Sequence, residues 1–414
     1  MDEKLTRALP VLERLTAAGH KAYFVGGCVR DALLGRPLGD VDIATSARPE
    51  AVMALFPKHA PTGIRHGTVT VFVKGGPYEV TTFRTESEYE NFRRPAEVVF
   101  VDDIEADLAR RDFTINAMAM DLGGRVTDPF GGKADLERGV IRCVGSPDER
   151  FREDALRMVR AVRFAAELGF RIAPSTWRAL RRNADLLRHI ALERVGAELD
   201  KMIRGADPDR AAAIFIRSGL WRTTKLPLDA PGLPACAGKP RLSALEAGDL
   251  RWIALWAASN VPPEAAQRWM SRLAFGKKRM HAIFAPLKLH AAAASAPGTR
   301  EAWAALALAH GRRAAADWLT VMRALPGISP VPEERLERWL AWLDDMPAFT
   351  AAELKLDGTA LAEAAGRKAG PWIRRTMDRL LLETAAGRLP NERGALLERA
   401  LRILDTQADG KDEP

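Results

Sequence analysis

The sequence predicts an α+β fold: a small N-terminal domain built on a β-sheet, followed by an all-helical remainder. Three observations carry this. Short β-branched runs are concentrated before residue 135, long Ala, Leu and Arg stretches at helical period fill the chain after it, and 414 residues exceed one core. Strands first and helices later indicate segregated layers rather than alternating βαβ units.

The elements follow in order. "MDEKLTRALPVLERL" carries acids at helical period, unlike the basic and then apolar segments of a secretory leader. "AYFVGG", "VDIAT", "TVTVFV" and "YEVTTF" read as strands separated by Gly and Pro turns. After "AYFVGG" a helix is expected to open near Arg30. "RRDFTINAMA" reads as an apolar helix with Asp112 and Asn116 inside it, and "EDALRMVRAVRF" (153–164) as one continuous helix. Breaks in the helical part are expected at 225–240, 296–299 and 325–332, all rich in Pro and Gly. The polar end, "DTQADGKDEP", reads as frayed. Most of the ten tryptophans lie after residue 215, where helical modules use Trp as core rather than as a base-stacking platform.

Composition narrows the class. Hydrophobic residues make up 47% and charged residues 28%, the profile of a folded soluble chain, and no apolar run reaches 18 residues. Cys28, Cys143 and Cys236 are too scattered for a disulfide framework or a CxxC zinc site, so a cytoplasmic location is expected. The net charge of +8 suits a polyanionic partner, although Arg-rich composition also follows from a GC-rich genome.

The chemistry gathers in the first half. In "GDVDIAT", Asp40 and Asp42 are one residue apart, so on a strand both carboxylates leave the same face. Two like charges held that close call for a cation, and Mg²⁺ takes carboxylates together with phosphate oxygens and water. Gly26 and Gly27 lie just upstream, where backbone N–H groups and a helix start favour phosphate. The spacing is neither a Walker loop nor a dinucleotide fingerprint. Glu79 offers a third carboxylate if its strand neighbours the first. Three carboxylates around two Mg²⁺ suit in-line nucleotidyl transfer. Arg111 supplies a cation for phosphate; Asp112 and Asn116 serve as ligands or as internal hydrogen-bonding groups.

"GGCVRDALLGRPLGDVDIAT", "RRDFTINAMA", "DPFGG" and "EDALRMVRAVRF", in this order, resemble the signature motifs of class II tRNA nucleotidyltransferases. These are the CCA-adding enzymes and bacterial poly(A) polymerases of the polymerase β-like nucleotidyltransferase superfamily. "ERVGAEL" (193–199) is similar to the motif in which a neck helix supports the nucleotide helix, and 370–391 is similar to the family's tail.

The resemblance implies a nucleotidyltransferase head (1–135), a helical neck (136–205), a body (206–330) and a tail (331–414), the last two gripping the tRNA acceptor arm. It implies Asp40 and Asp42 as metal-binding catalytic carboxylates and Glu79 as the third acidic position. Gly27, Arg30 and Arg111 match residues that hold the triphosphate; Gly26, Asp112 and Asn116 are nucleotide-site candidates from the residues themselves. Asp154 and Arg157 match the pair that reads the base edge in place of a template; Arg160 and Arg163 match further nucleotide-site arginines. On a helix, i and i+3 are neighbours, so one acceptor and one fork of donors can meet both cytosine and adenine. Guanine and uracil would leave the Asp unpaired, at a cost of about 1–3 kcal/mol.

The expected activity is Mg²⁺-dependent addition of C, C and A to the 3′ end of tRNA from CTP and ATP, with pyrophosphate released. The resemblance implies that residues 84–103 are the flexible loop needed to switch from C to A, which argues against a CC-only enzyme. An A-adding enzyme and a poly(A) polymerase remain open, as does a catalytically inactive RNA-binding protein. Monomer and homodimer are both compatible with the sequence. No His-Asp dipeptide suggests a fused phosphohydrolase.

Overall fold

Thirteen residues into the first helix, the chain has already buried Leu5, Ala8, Val11, Leu12 and Leu15 along one stripe, the 3.6-residue period at work. The computed structural model describes residues 2–73, 76–90, 94–225, 241–246 and 248–408, without the side chains of 86–97, 407 and 408. By its internal contacts the chain divides into two compact units, 1–229 and 230–414.

The first unit opens with α1 (Glu3–Ala17), β1 (Ala22–Val25), α2 (Gly27–Leu33), β2 (Asp42–Thr45) and α3 (Pro49–Leu55). Strands β3 (His59–Gly63), β4 (Thr68–Val73), β5 (Gly76–Thr82), β6 (Arg84–Glu90) and β7 (Arg94–Phe100) follow, then α4 (Ile104–Ala109). Next come a 3₁₀ turn at Thr114–Asn116, β8 (Ala119–Met120), β9 (Val126–Thr127), α5 (Gly132–Glu137) and β10 (Val140–Ile141). Helices α6 (Pro147–Glu153) and α7 (Leu156–Glu167), β11 (Arg171–Ile172), α8 (Pro174–Arg182), α9 (Leu192–Arg204) and α10 (Pro208–Ser218) complete the unit.

The sheet order is β3-β4-β5-β2-β1-β8-β9, and β2–β5 is its parallel pair. That pairing sets Asp42 directly beside Glu79 in register. Central β1 is buried on both faces, with Phe24 and Val25 nearly inaccessible. Beneath the site, Val25, Ala44, Phe83, Ile104, Leu108, Ala117, Ala119 and Val144 share one apolar cluster. This core holds the ends of β1 and β2 at fixed separation, and the functional residues sit at those ends.

The structure departs from expectation in five places. The helix after the glycines opens at Gly27, not near Arg30. β2 begins at Asp42, so Asp40 lies in the preceding segment and not on the strand. Asp112 and Asn116 belong to a turn with one short 3₁₀ stretch, not to an apolar α-helix. Residues 153–164 are not one helix: α6 ends at Glu153, Asp154 is extended (φ −140°, ψ 104°), and α7 starts at Leu156. Within 84–103, expected as a loop, residues 84–90 and 94–100 pair as the antiparallel ribbon β6–β7, for which Thr85, Tyr89, Val98 and Val99 carry strand propensity.

The second unit comprises α11 (Gly248–Ala258), α12 (Pro263–Arg272), α13 (Lys277–Ala293), α14 (Arg300–His310), α15 (Arg312–Ala324), α16 (Glu333–Asp344), α17 (Gly358–Ala365), α18 (Pro371–Ala385) and α19 (Arg393–Ala408). α11 is buried nearly all round and stacks Trp252 on Trp256. Trp303, Trp318 and Trp339 are fully buried, with centroids 4.5–6.1 Å apart, as the core reading of Trp expects. A second cluster around Leu361, Leu380, Leu396 and Ala400 joins α17, α18 and α19. The expected breaks at 296–299 and 325–332 separate helices; the one at 225–240 and Cys236 lie outside the described residues, save Lys225. No described helix is long and apolar enough to cross a membrane.

Candidate active site

Gly26 ends β1 with φ +74°, a conformation that L side chains rarely adopt. A Cβ there would also stand 2.8 Å from an Arg111 guanidinium nitrogen and 3.9 Å from an Asp42 carboxylate oxygen. Glycine is therefore required twice, for the turn and for the close approach. The result is a cleft of about 770 Å³ in the first unit. It brings together Gly26, Gly27, Arg30, Asp40, Asp42, Arg111, Asp112, Asn116, Asp154, Arg157, Arg160 and Arg163, all expected from the sequence. Glu79 is the exception: exposed, in register with Asp42, but not part of the cleft lining.

The carboxylate end is electrostatically loaded. Burial pushes the Asp42 carboxyl above its ordinary value; Arg111 opposes this, while Glu79 and Asp40 add to it. All the donors are oxygens, which suits Mg²⁺. Among the described residues no three such groups close a metal cage. The fit is that of a carboxylate pair whose remaining positions go to phosphate and water, the usual way Mg²⁺ is held. Arg111 NH2 lies 3.4 Å from Asp107, and its Nε is buried with no protein partner in the described structure. A buried guanidinium N–H with nothing to donate to is costly unless a ligand accepts it.

A relay of polar side chains crosses the floor. Arg30 NH1 donates to Asn116 Oδ1 at 2.8 Å, Asn116 Nδ2 donates to Asp112 Oδ1 at 3.1 Å, and Arg160 donates to Asp112 Oδ2 at 2.7 and 2.9 Å. The chain of bonds ties α2 to α7. Burial alone would raise the Asp112 carboxyl; Arg160, Asn116 and Arg157 override it and hold it down at about 2. Asp112 and Asn116 thus spend these contacts on orienting arginines. Arg30, Arg160 and Arg163 also surround the ring of Phe164, at 5.1, 5.2 and 4.0 Å from its centroid.

The Asp154–Arg157 pair is not an i,i+3 salt bridge. Asp154 Oδ2 accepts from Arg194 of α9 at 2.8 Å, and its Oδ1 caps Leu156 N at 3.0 Å. Arg157 donates to Glu153 at 2.6 Å and to the Arg110 carbonyl at 3.0 Å. Arg163 pairs with Glu198 of α9 at 2.6 Å and with Glu167 at 2.7 Å. Both α9 partners lie in "ERVGAEL", consistent with a helix that supports the nucleotide helix.

Arg36, Arg110, Phe164 and Lys201 line the cleft too, and sequence reasoning did not single them out. Arg110 had a signal, since it doubles Arg111 within the quoted motif. The buried thiols are not candidates for chemistry: burial pushes Cys28 to about 11 and Cys143 to about 12.

The family model for the Poly A polymerase head domain matches residues 22–142. An RNA- and SrmB-binding site of polymerase A matches 169–225, and tRNA nucleotidyltransferase domain 2 matches 244–400. The CCA-adding enzyme of Geobacillus stearothermophilus is 43% identical over 406 residues, 95% of this chain and 96% of the relative. That of Limosilactobacillus reuteri is 39% identical over 398 residues, covering 96% of each. Among solved structures, the Bacillus stearothermophilus CCA-adding enzyme in complex with CTP superposes with TM-score 0.84 at 38% identity, covering 99% of this chain and 100% of that one. The Thermotoga maritima CCA-adding enzyme complexed with tRNA, at 21% identity and TM-score 0.64, covers 98% and 96% and shares the fold.

Proposed function

Given that the chain belongs to the CCA-adding enzyme family of nucleotidyltransferases, we propose that it adds C, C and A in turn to the 3′ end of tRNA, using CTP and ATP and releasing pyrophosphate. One observation carries the reading: a single cleft is lined both by the carboxylates of Asp40 and Asp42 and by Asp154 and Arg157. Transfer chemistry and base choice need to share one pocket, because no template strand supplies the choice.

Asp40 and Asp42, with Glu79 adjoining, would hold Mg²⁺, which when bound lowers the pKa of the attacking hydroxyl and stabilises triphosphate charge. Arg111, whose NH1 group stands beside the Gly26 turn, offers its guanidinium to phosphate, and Gly26 and Gly27 let the backbone come close. Arg30, tied through Asn116 and Asp112 to Arg160, keeps the phosphate side and the base side at a constant distance. Asp154 accepts from the amino group shared by cytosine and adenine, and Arg157 donates to the ring acceptor beside it. Arg160 and Arg163, set around Phe164, complete the nucleotide's surroundings.

We assign the head to residues 1–135, the neck to 136–205, the body to 206–330 and the tail to 331–414. A cytoplasmic location accords with a tRNA substrate and with Cys28 and Cys143 kept as thiols.

The test is incorporation of labelled CTP and ATP into tRNA lacking its 3′ CCA, with and without Mg²⁺. Wild type incorporates both with Mg²⁺, and Asp42→Ala falls to background. Background signal from both proteins would leave an RNA-binding protein without the chemistry. A long A tail would make it a poly(A) polymerase.

A further inference from the structure

Helix α4 buries Ile104, Asp107 and Leu108 along one face. Ile104 and Leu108 join the apolar cluster beneath the site, as such a face requires. Asp107 breaks the pattern: its carboxylate is 1% exposed and stands in the last turn of the helix, where the backbone dipole is negative. An acid buried there is costly unless cations and donors compensate it. Arg110 and Arg111 follow at the i+3 and i+4 positions, within reach of it.

Arg110 Nε and NH2 donate to Asp107 Oδ1 at 3.0 and 2.8 Å, and Arg111 NH2 reaches Oδ2 at 3.4 Å. The Arg84 N–H, at the start of β6, donates to Oδ1 at 3.3 Å. Burial alone would raise the Asp107 carboxyl; Arg110, Arg111 and the Arg84 N–H outweigh it and hold it below its ordinary value. Both arginines line the cleft, whereas Asp107 lies behind its wall. Arg110 caps the end of α4 and Arg111 follows it, so helical geometry does not aim their side chains. Their backbone is held from the other side: Arg150 NH1 donates to the Ala109 carbonyl at 2.9 Å and Arg157 NH2 to the Arg110 carbonyl at 3.0 Å. Those bonds fix where the two residues stand, and Asp107 fixes where their guanidiniums point.

We propose that Asp107 is a positioning residue for the triphosphate, holding Arg110 and Arg111 as a preset pair. The inference rests on the proposed function, in which Arg111 meets phosphate, and adds Arg110 as a second cation at that end of the cleft. Two guanidiniums side by side repel unless an anion lies between them. Held in advance, they lose less freedom when a phosphate chain arrives, which favours binding. Asp107 acts through these arginines, without touching the nucleotide.

The experiment measures equilibrium binding of CTP, ATP and inorganic pyrophosphate to the full chain without tRNA, and of tRNA without nucleotide. Circular dichroism first establishes that Asp107→Asn folds. If it does not, Asp107→Glu, which keeps the charge and moves it by one methylene, takes its place with the same expectations. The variant should weaken CTP, ATP and pyrophosphate alike by at least about tenfold, and leave tRNA within about twofold. A parallel loss for pyrophosphate locates the effect on the phosphates, since that ion carries no base. On the Arg110→Ala, Arg111→Ala background the same substitution should cost no more than about twofold, because what Asp107 places is already gone. Unchanged nucleotide binding, a loss that spares pyrophosphate, an equal loss for tRNA, or the full loss again without the arginines would overturn the proposal. Wild-type protein that binds CTP and ATP with this dependence on Asp107 but adds neither to tRNA would refute the catalytic reading and leave this one standing.

Discussion

Asp154 Oδ2 lies 2.8 Å from NH2 of Arg194, a residue forty positions further along, on a different helix. The carboxylate proposed to read the base is therefore oriented from α9 and not by its neighbour Arg157, which Glu153 holds instead at 2.6 Å. With Asp154 in extended backbone between two helices, the local bond on its side chain is the one that Leu156 N–H donates to Oδ1 at 3.0 Å.

Arg194→Ala should consequently lower selectivity more than turnover. Losing one charge-assisted contact of this kind is worth about 1.5–3 kcal/mol, or roughly 10- to 100-fold in discrimination of C and A against U and G. Competition between labelled CTP and UTP measures it. Intact discrimination would assign Asp154's orientation to the Leu156 N–H alone.

Asp112 predicts a pH dependence of stability. Its folded carboxyl is held at about 2 against an ordinary value of 3.8. A depressed acid contributes stability that is complete above about pH 4 and lost as pH falls toward 2. The contribution is about 2 kcal/mol at neutral pH. Asp112→Asn removes it and leaves Arg160 with Glu198 at 4.0 Å as its nearest carboxylate, so denaturation at pH 7 should show a loss of about 2–3 kcal/mol. The gap between variant and wild type should narrow on acidification from pH 4 to pH 2. A constant gap would mean that the Arg160 pair is not what depresses this carboxyl.

Gly132 predicts an effect on nucleotide binding from a residue that does not line the cleft. A Cβ there would stand 2.3 Å from the Thr114 carbonyl oxygen and 2.9 Å from Met118 Sδ. Thr114 opens the turn that carries Asn116, and Asp135 of the same helix as Gly132 holds the Thr114 hydroxyl at 2.7 Å. Gly132→Ala should push this turn and, through Asn116, Arg30. We expect a stability loss of about 1–3 kcal/mol and a raised KM for both CTP and ATP, with KM for tRNA unchanged. Equal rises for all substrates would reduce the effect to general loosening.

The cleft was legible from the sequence where chemistry is local. Gly26, Asp40 and Asp42 are close along the chain and β-branched runs mark the strands beside them, while Arg111 is marked by the motif that carries it. The break at Asp154 was not legible, because "EDALRMVRAVRF" contains no Gly or Pro and its apolar residues keep helical period across a single extended residue. The partners of its charges were hidden for a related reason. Helical spacing proposes i,i+3 and i,i+4 pairs, whereas Arg194 and Glu198 reach Asp154 and Arg163 through tertiary packing of α7 on α9. The ribbon of 84–90 and 94–100 was hidden by its charge, which reads as loop even where residues alternate in strand fashion.

The most direct test of protein-templated base choice supplies tRNA lacking its 3′ CCA with all four nucleoside triphosphates and sequences the products. Wild type should yield CCA ends alone, and Arg157→Ala should yield ends containing U and G as well, with Mg²⁺ dependence retained. Identical CCA ends from both proteins would contradict the assignment of base reading to the Asp154–Arg157 pair.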